Sequence, residues 1–243
     1  MTTLIIPIYN GEAAIPAMWK VLRDWKQAGA GNTALAFVND GSTDNTGPML
    51  DVLVQEDPSI MVHHLRVNMG KGHAIRTAIE KMPLQGAYVA FTDVDLPYGL
   101  GVIHEATAYL EKHKNTDIVI GSRKKAHKKQ YSHDRKVWSR VFRLFVPAKV
   151  RKFSDTQCGL KVFRMPVAKD VFAHAQTSRW VFDVELLLRA VQTGYNVHEI
   201  SVTLQKGLAR GKGGVSALHD GVRILFDLWR IHIALWQGKY ANK

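Results

Sequence analysis

Short apolar runs at 4–8, 34–38, 60–65, 87–92 and 117–121 alternate with stretches patterned for helix at 14–28, 46–55, 71–81 and 101–113. In the first helical stretch Ile15, Met18, Val21, Leu22 and Trp25 recur at three- and four-residue steps, which on a helix gathers them on one face. Turn residues punctuate the runs, at Asn10-Gly11 and across 39–44. Strands separated by helices of this length predict parallel βαβ units, with right-handed crossovers placing helices on both faces of the sheet. After Gly121 the order changes. The pattern there predicts a helix at 132–144, with Trp138, Val141, Phe142 and Phe145 on its apolar side, then a strand at 156–163, a helix at 179–192 and a last strand at 198–204. A loop at 207–214 rich in Gly, Lys and Arg precedes a helical pattern at 218–236. No repeat or low-complexity linker interrupts the chain, so one continuous domain over 1–215 and a terminal amphipathic helix within 216–243 are expected.

Composition changes this picture little, and charge changes it more. At 243 residues, 46% hydrophobic and 22% charged, the chain has material for one large α/β domain. A single cysteine, Cys158, excludes an internal disulfide framework and fits a reducing compartment. The first residues lack a basic region followed by a long apolar run, so no secretory signal is expected. Of the net charge of +12, most falls between Arg123 and Lys152, where twelve Lys/Arg stand against one acid, Asp134. That segment suits nucleic acid, anionic headgroups or phosphate-bearing substrates, or is a solvated basic loop. In the terminal helix five ionisable residues, Asp220, Arg223, Asp227, Arg230 and His232, argue against a membrane span. Its broad apolar face with two tryptophans suits a membrane interface or a partner, and equally suits packing on the domain.

Four segments carry candidate chemistry. Asp93 and Asp95 close the fourth apolar run one residue apart, and in extended backbone both would point the same way, toward one divalent cation at the carboxyl end of a strand. Such a cation is commonly held by one or two carboxylates plus a substrate's phosphates. Pro7-Ile8-Tyr9-Asn10 follows the first run, and the turn at 39–44 carries Asp40, an acceptor for a base N–H or ribose hydroxyl, or else a helix cap. Asn68-Met-Gly-Lys-Gly sets glycines around Lys71 at a helix start, where backbone and ammonium approach a phosphate. Its spacing is not that of a Walker loop. A basic segment without a recognised nucleic-acid module, beside tandem acids, disfavours nucleic acid as a partner.

In their order these motifs resemble the inverting family-2 glycosyltransferases of GT-A fold, a likeness covering nearly the whole chain. Gly121-Ser-Arg123, the run Asp155-Thr-Gln-Cys-Gly-Leu-Lys-Val-Phe-Arg164 and Arg179-Trp-Val-Phe-Asp-Val-Glu185 look like the polyprenyl-phosphate sugar transferases, most of all the dolichyl-phosphate β-glucosyltransferase group. The resemblance implies a Rossmann-like, mostly parallel α/β sheet. It implies a hexose, glucose, moved with inversion from a nucleotide-sugar, UDP-glucose, to a lipid phosphate at the cytoplasmic face of a membrane that the enzyme touches peripherally. The alternative is the same fold acting on a soluble or protein-bound hydroxyl acceptor. Asp40, with Pro7, Tyr9 and Glu12, would form the nucleobase pocket and Lys71 would lie near the nucleotide. Asp93 and Asp95 would hold Mg2+ or Mn2+ on the donor diphosphate. Arg123, with Arg135 and Ser139, would hold the acceptor phosphate. Some mannosyl relatives of this type carry Gln two residues after the second Asp, where this chain has Pro97, which disfavours that subgroup.

Chemistry adds two expectations. A phosphate acceptor is already anionic and needs guanidinium clamps more than a base, whereas a hydroxyl acceptor needs one. Asp183 is the candidate base or acceptor-orienting group, set against its favourable charge at a helix start. Lys206, Arg210 and Lys212, in their Gly-rich loop, would close over the diphosphate, or else the loop is simply disordered. Oligomerisation is left open.

Overall fold

The structure, a computed structural model, describes residues 1–29, 32–123, 142, 144–179, 181–205, 217–238 and 240, with side chains from 223 onward in the last helix. Seven strands form one sheet: β1 (Thr2–Ile8), β2 (Thr33–Asn39), β3 (Met61–His64), β4 (Tyr88–Phe91), β5 (Ile118–Ser122), β6 (Lys161–Arg164) and β7 (Val197–Ser201). Among the described residues seven helices connect or flank them: α1 (Ile15–Gln27), α2 (Thr46–Glu56), α3 (Lys71–Lys81), α4 (Gly101–Lys112), α5 (Met165–Ala173), α6 (Phe182–Gln192) and α7 (Ala217–Trp236), with a 3-10 turn at Ala148–Val150. The strand order is β3-β2-β1-β4-β6-β5-β7. Every pairing is parallel except those of β6, which runs antiparallel to both β4 and β5.

The two-residue period of a strand explains the layers. Ile5, Ala36, Val38, Val89, Phe91, Ile118, Ile120 and Phe163 face the side covered by α3, α5, α6 and α7. Their neighbours Leu4, Ile6, Leu35, Phe37, Ala90, Val119 and Val162 face the side covered by α1, α2 and α4. Fully burying a Val, Leu, Ile or Phe side chain contributes about 1.5–3 kcal/mol, so both faces hold the sheet. At the centre of the first layer Phe91 stacks on Phe163 at 6.0 Å and meets Phe172 edge-on at 6.3 Å.

Three expected elements differ. The strand expected at 156–163 begins only at Lys161, because Asp155 turns the chain by accepting from the Gln157 N–H (3.2 Å), and Gly159 follows. The helix expected from 179 starts at Phe182, since the Ser178 carbonyl is engaged by α3, where it accepts from the Gly72 N–H (2.8 Å). The strand expected at 198–204 ends at Ser201. The helix expected at 132–144 lies outside the described residues apart from its last positions. In α7, Leu228, Ile231 and Ala234 are buried while Phe226, Trp229 and Trp236 are exposed, so the helix packs on the domain and still presents an apolar face.

Candidate functional site

The carboxyl ends of β1, β2 and β4 bring the first three motifs to one rim. The loops after β1 and β2 lace together: Asn10 Oδ1 accepts from the Thr43 N–H, Ser42 Oγ from the Asn10 N–H, and Glu12 Oε2 from the Asn45 N–H, at 2.8, 2.9 and 3.0 Å. Tyr9 is left half exposed beside them, with Pro7 partly buried beneath. Glu12 thus serves the scaffold of this rim.

Asp40, at the end of β2, is buried, and its carboxylate accepts from the backbone N–H groups of Met69 and Gly70, both at 2.8 Å, and from Asn68 Nδ2 at 3.0 Å. Burial raises its pKa above the ordinary value, opposed by those two N–H groups. Gly70 sits at φ +97°, and a Cβ there would stand 2.7 Å from the Ser178 carbonyl oxygen; one on Gly72 would stand 2.7 Å from Phe182. The glycines of this motif therefore admit the protein's own 178–182 segment. The motif also presents the Lys71 ammonium at the rim.

Asp93 and Asp95 stand beyond the end of β4, not within it. The chain turns there, with the Leu96 N–H donating to the Asp93 carbonyl (3.0 Å) and the Gly99 N–H to the Leu96 carbonyl (3.0 Å). Leu96 takes φ +43°, costly for a bulky side chain, and is held there by burial. The two carboxylates are thus displayed by a fixed turn rather than by extended backbone. Asp93 Oδ1 accepts from Lys71 Nζ. Burial works against the Lys71 charge, but Asp93 and Asp183 outweigh it and hold its pKa above the ordinary lysine value.

Directly beneath lies a second pair. Lys161, the first residue of β6 and fully buried, donates to Asp183 Oδ1 in the first turn of α6 and to the Cys158 carbonyl at 2.8 Å. Both ammonium groups stand over the Phe91 ring, Lys71 at 5.8 Å and Lys161 at 5.7 Å from its centroid. Gly159 closes the cluster: a Cβ there would stand 2.1 Å from Asp93 Oδ2 and 3.2 Å from Lys71 Nζ. Asp183 and Glu185 diverge. Glu185 is fully buried and accepts from the N–H groups of Gln176 and Thr177 and from the Tyr240 hydroxyl, a structural role.

Arg123, just past β5, lies in a fork on Asp155, with Nε 2.6 Å from Oδ2 and a terminal nitrogen 2.9 Å from Oδ1. Burial opposes ionisation of both partners, yet their mutual attraction wins, lowering the Asp155 pKa and raising that of Arg123. Arg135, Ser139, Lys206, Arg210 and Lys212 lie outside the described residues. Asp155, Gly159 and Lys161 have no role from the motif pattern alone. A lone Lys inside an apolar strand run was the available signal, since a buried lysine requires a partner.

Hard carboxylate oxygens on a rigid turn beside a lysine suit Mg2+ or Mn2+. Among the described residues no three His, Cys, Asp or Glu converge, so a cation at Asp93 and Asp95 would draw its remaining ligands from water and substrate.

The model of a family described as glycosyl transferase family 2 matches residues 3–172. The dolichyl-phosphate beta-glucosyltransferase ALG5A of Trichomonas vaginalis is 32% identical over 209 residues, covering 82% of this chain and 64% of its own length. A dolichyl-phosphate beta-glucosyltransferase of Dictyostelium discoideum is 26% identical over 259 residues, covering 98% of this chain and 76% of its own. The chain thus spans roughly two thirds to three quarters of the length of these relatives. Glucosyl-3-phosphoglycerate synthase from Mycobacterium tuberculosis, solved with Mn2+, UDP and glucosyl-3-phosphoglycerate, superposes with a TM-score of 0.66 at 14% identity, covering 94% of this chain and 77% of its own. That likeness shows a shared fold.

Proposed function

This chain belongs to glycosyl transferase family 2, and from that premise we propose that it transfers glucose, with inversion, from UDP-glucose to a polyprenyl phosphate of the dolichyl type at the cytoplasmic face of a membrane. The observation that carries the reading is the pairing of Lys71 with Asp93 on the turn after β4, with Asp183 and Lys161 immediately below. The chain's likeness to dolichyl-phosphate beta-glucosyltransferases supports the choice of sugar and acceptor.

In this reading Asp93 and Asp95 hold Mg2+ or Mn2+, which when bound neutralises charge developing on the leaving diphosphate. Tyr9 and Pro7 shape the nucleobase pocket, while Asp40 fixes the 68–70 loop that carries Lys71 to the rim. Lys71 pairs with donor phosphate oxygens when the donor arrives. Arg123, oriented by Asp155, binds the acceptor phosphate. An anionic acceptor oxygen needs no proton removed, and Asp183, held by Lys161, orients the acceptor and balances the local positive charge rather than acting as a base.

Incubating the protein with UDP-glucose, Mn2+ and a polyprenyl phosphate tests the proposal. Wild type should yield a glucosylated lipid phosphate, and Asp95→Ala should lower its rate by at least about 100-fold, the scale of a lost electrostatic stabiliser. Equal turnover in that variant sinks the metal assignment, and no product with any nucleotide-sugar sinks the reaction.

A further inference from the structure

α7 has two unlike sides. Leu228, Ile231 and Ala234 are at most 5% exposed and join the core, whereas Phe226, Trp229 and Trp236 are 55%, 58% and 88% exposed. At about 3.6 residues per turn these three aromatics fall on one stripe, turned away from the buried side, with Phe226 and Trp229 in ring contact at 5.8 Å. Exposed Arg223 and Arg230, seven residues apart, line one edge of the stripe. On the other edge His232 Nε2 donates to the Phe145 carbonyl oxygen at 2.9 Å, which brings in Leu144 and Phe145, 70% and 46% exposed. Two distant parts of the chain thus build one apolar face. Single exposed apolar residues are ordinary, but five large ones where these two parts of the chain meet mark an interaction site.

We propose that this face, formed by Phe226, Trp229, Trp236, Leu144 and Phe145, seats the protein on an anionic lipid bilayer. The proposal rests on the lipid-phosphate reading given above and names the surface through which that acceptor is reached. Charge decides the occupant. Exposed Arg223 and Arg230 edge the aromatic stripe, and Arg151 donates to the Leu144 carbonyl at 2.6 Å, so cations border both parts of the face. A second copy of the chain on this face would bring two such sets of cations together, each repelling the other. An anionic headgroup layer attracts them, with aromatic rings at headgroup depth and arginines beside them. The helix that carries the face is within electrostatic reach of the site: Arg179, packed 2.7 Å from where a Gly70 Cβ would stand, acts on both Asp40 and Asp227 of α7.

The test is co-sedimentation of the full chain with vesicles of phosphatidylcholine and phosphatidylserine, together with quenching of tryptophan fluorescence by brominated lipid. Wild type should bind and be quenched. The variant Phe226→Ser/Trp229→Ser/Trp236→Ser should partition at least about 10-fold less, as expected for removing most of the inserted apolar area. It should keep transfer to a water-soluble short-chain polyprenyl phosphate within about twofold, since none of these side chains has a part in the reaction. Wild-type absence from vesicles, or equal partition of the variant, overturns the proposal. So does a wild-type dimer that the variant converts to monomer with vesicle binding unchanged. Partition is measured without donor or acceptor, so a failed transfer assay counts against the reaction alone.

Discussion

At the scale of single residues, two lysine–carboxylate pairs and one arginine fork decide what the site holds. Lys161→Met should destabilise the fold by about 3 kcal/mol, because Asp183 is left buried without its counter-charge. Adding Asp183→Asn should recover much of that loss in denaturant titrations without recovering transfer; recovery of transfer would leave the pair with a purely structural role. Asp155 carries a pH dependence. Its folded pKa lies below the ordinary 3.8, so its stabilisation is complete above that value and fades as pH falls through the folded value. Asp155→Asn should therefore be less stable than wild type by about 3 kcal/mol at neutral pH, with the gap closing only in acid below 3.8. A gap that is constant across that range refutes the assignment. The acids and Lys71 were legible in the sequence as paired carboxylates and a Gly-flanked lysine. Lys161, the partner of Asp183, was not, since the two are 22 positions apart and meet only through the fold.

At the scale of elements, close approaches explain where patterns were right and where they misled. Strand and helix alternation through 1–122 was readable because both sheet faces are covered, so each apolar run was short and bounded. The glycines were legible at a helix start, but Gly70 and Gly72 also make room for the 178–182 segment, a contact no local pattern reveals. Gly159 is the sharper case, because the atoms beside it are the tips of flexible side chains in the site. Gly159→Ala should cost less than about 1 kcal/mol in stability, as those tips can shift, yet lower transfer about 10- to 100-fold by displacing Asp93 and Lys71. Paired melting curves and rates check this, and unchanged rates would show that the carboxylate tolerates the shift. Gly41 contrasts with it. At φ +63°, with a Cβ 2.2 Å from the Val67 carbonyl carbon, it meets backbone, so Gly41→Ala should unfold at lower denaturant.

For the whole molecule, the sheet is an all-parallel array interrupted by one reversed strand. The α/β class and the helices on both faces followed from alternation alone, but the direction of β6 did not, because hydrophobic period carries no sense of direction. Its reversal makes the chain enter the sheet from the rim, which is how Asp155, Gly159 and Lys161 arrive beside residues from β4. One helix, α7, then closes a core face and leaves its aromatics outside. The reversed strand also constrains how the protein is born. β5 has only β6 and β7 as neighbours, and both are encoded after it. A nascent chain emerging from its N-terminus assembles β1 through β4 first, while β5 waits with no hydrogen-bonding mate and β4 keeps a bare edge until residues 161–164 leave the ribosome. Translation stalled within that interval should yield a chaperone-bound intermediate whose protease resistance ends at β4.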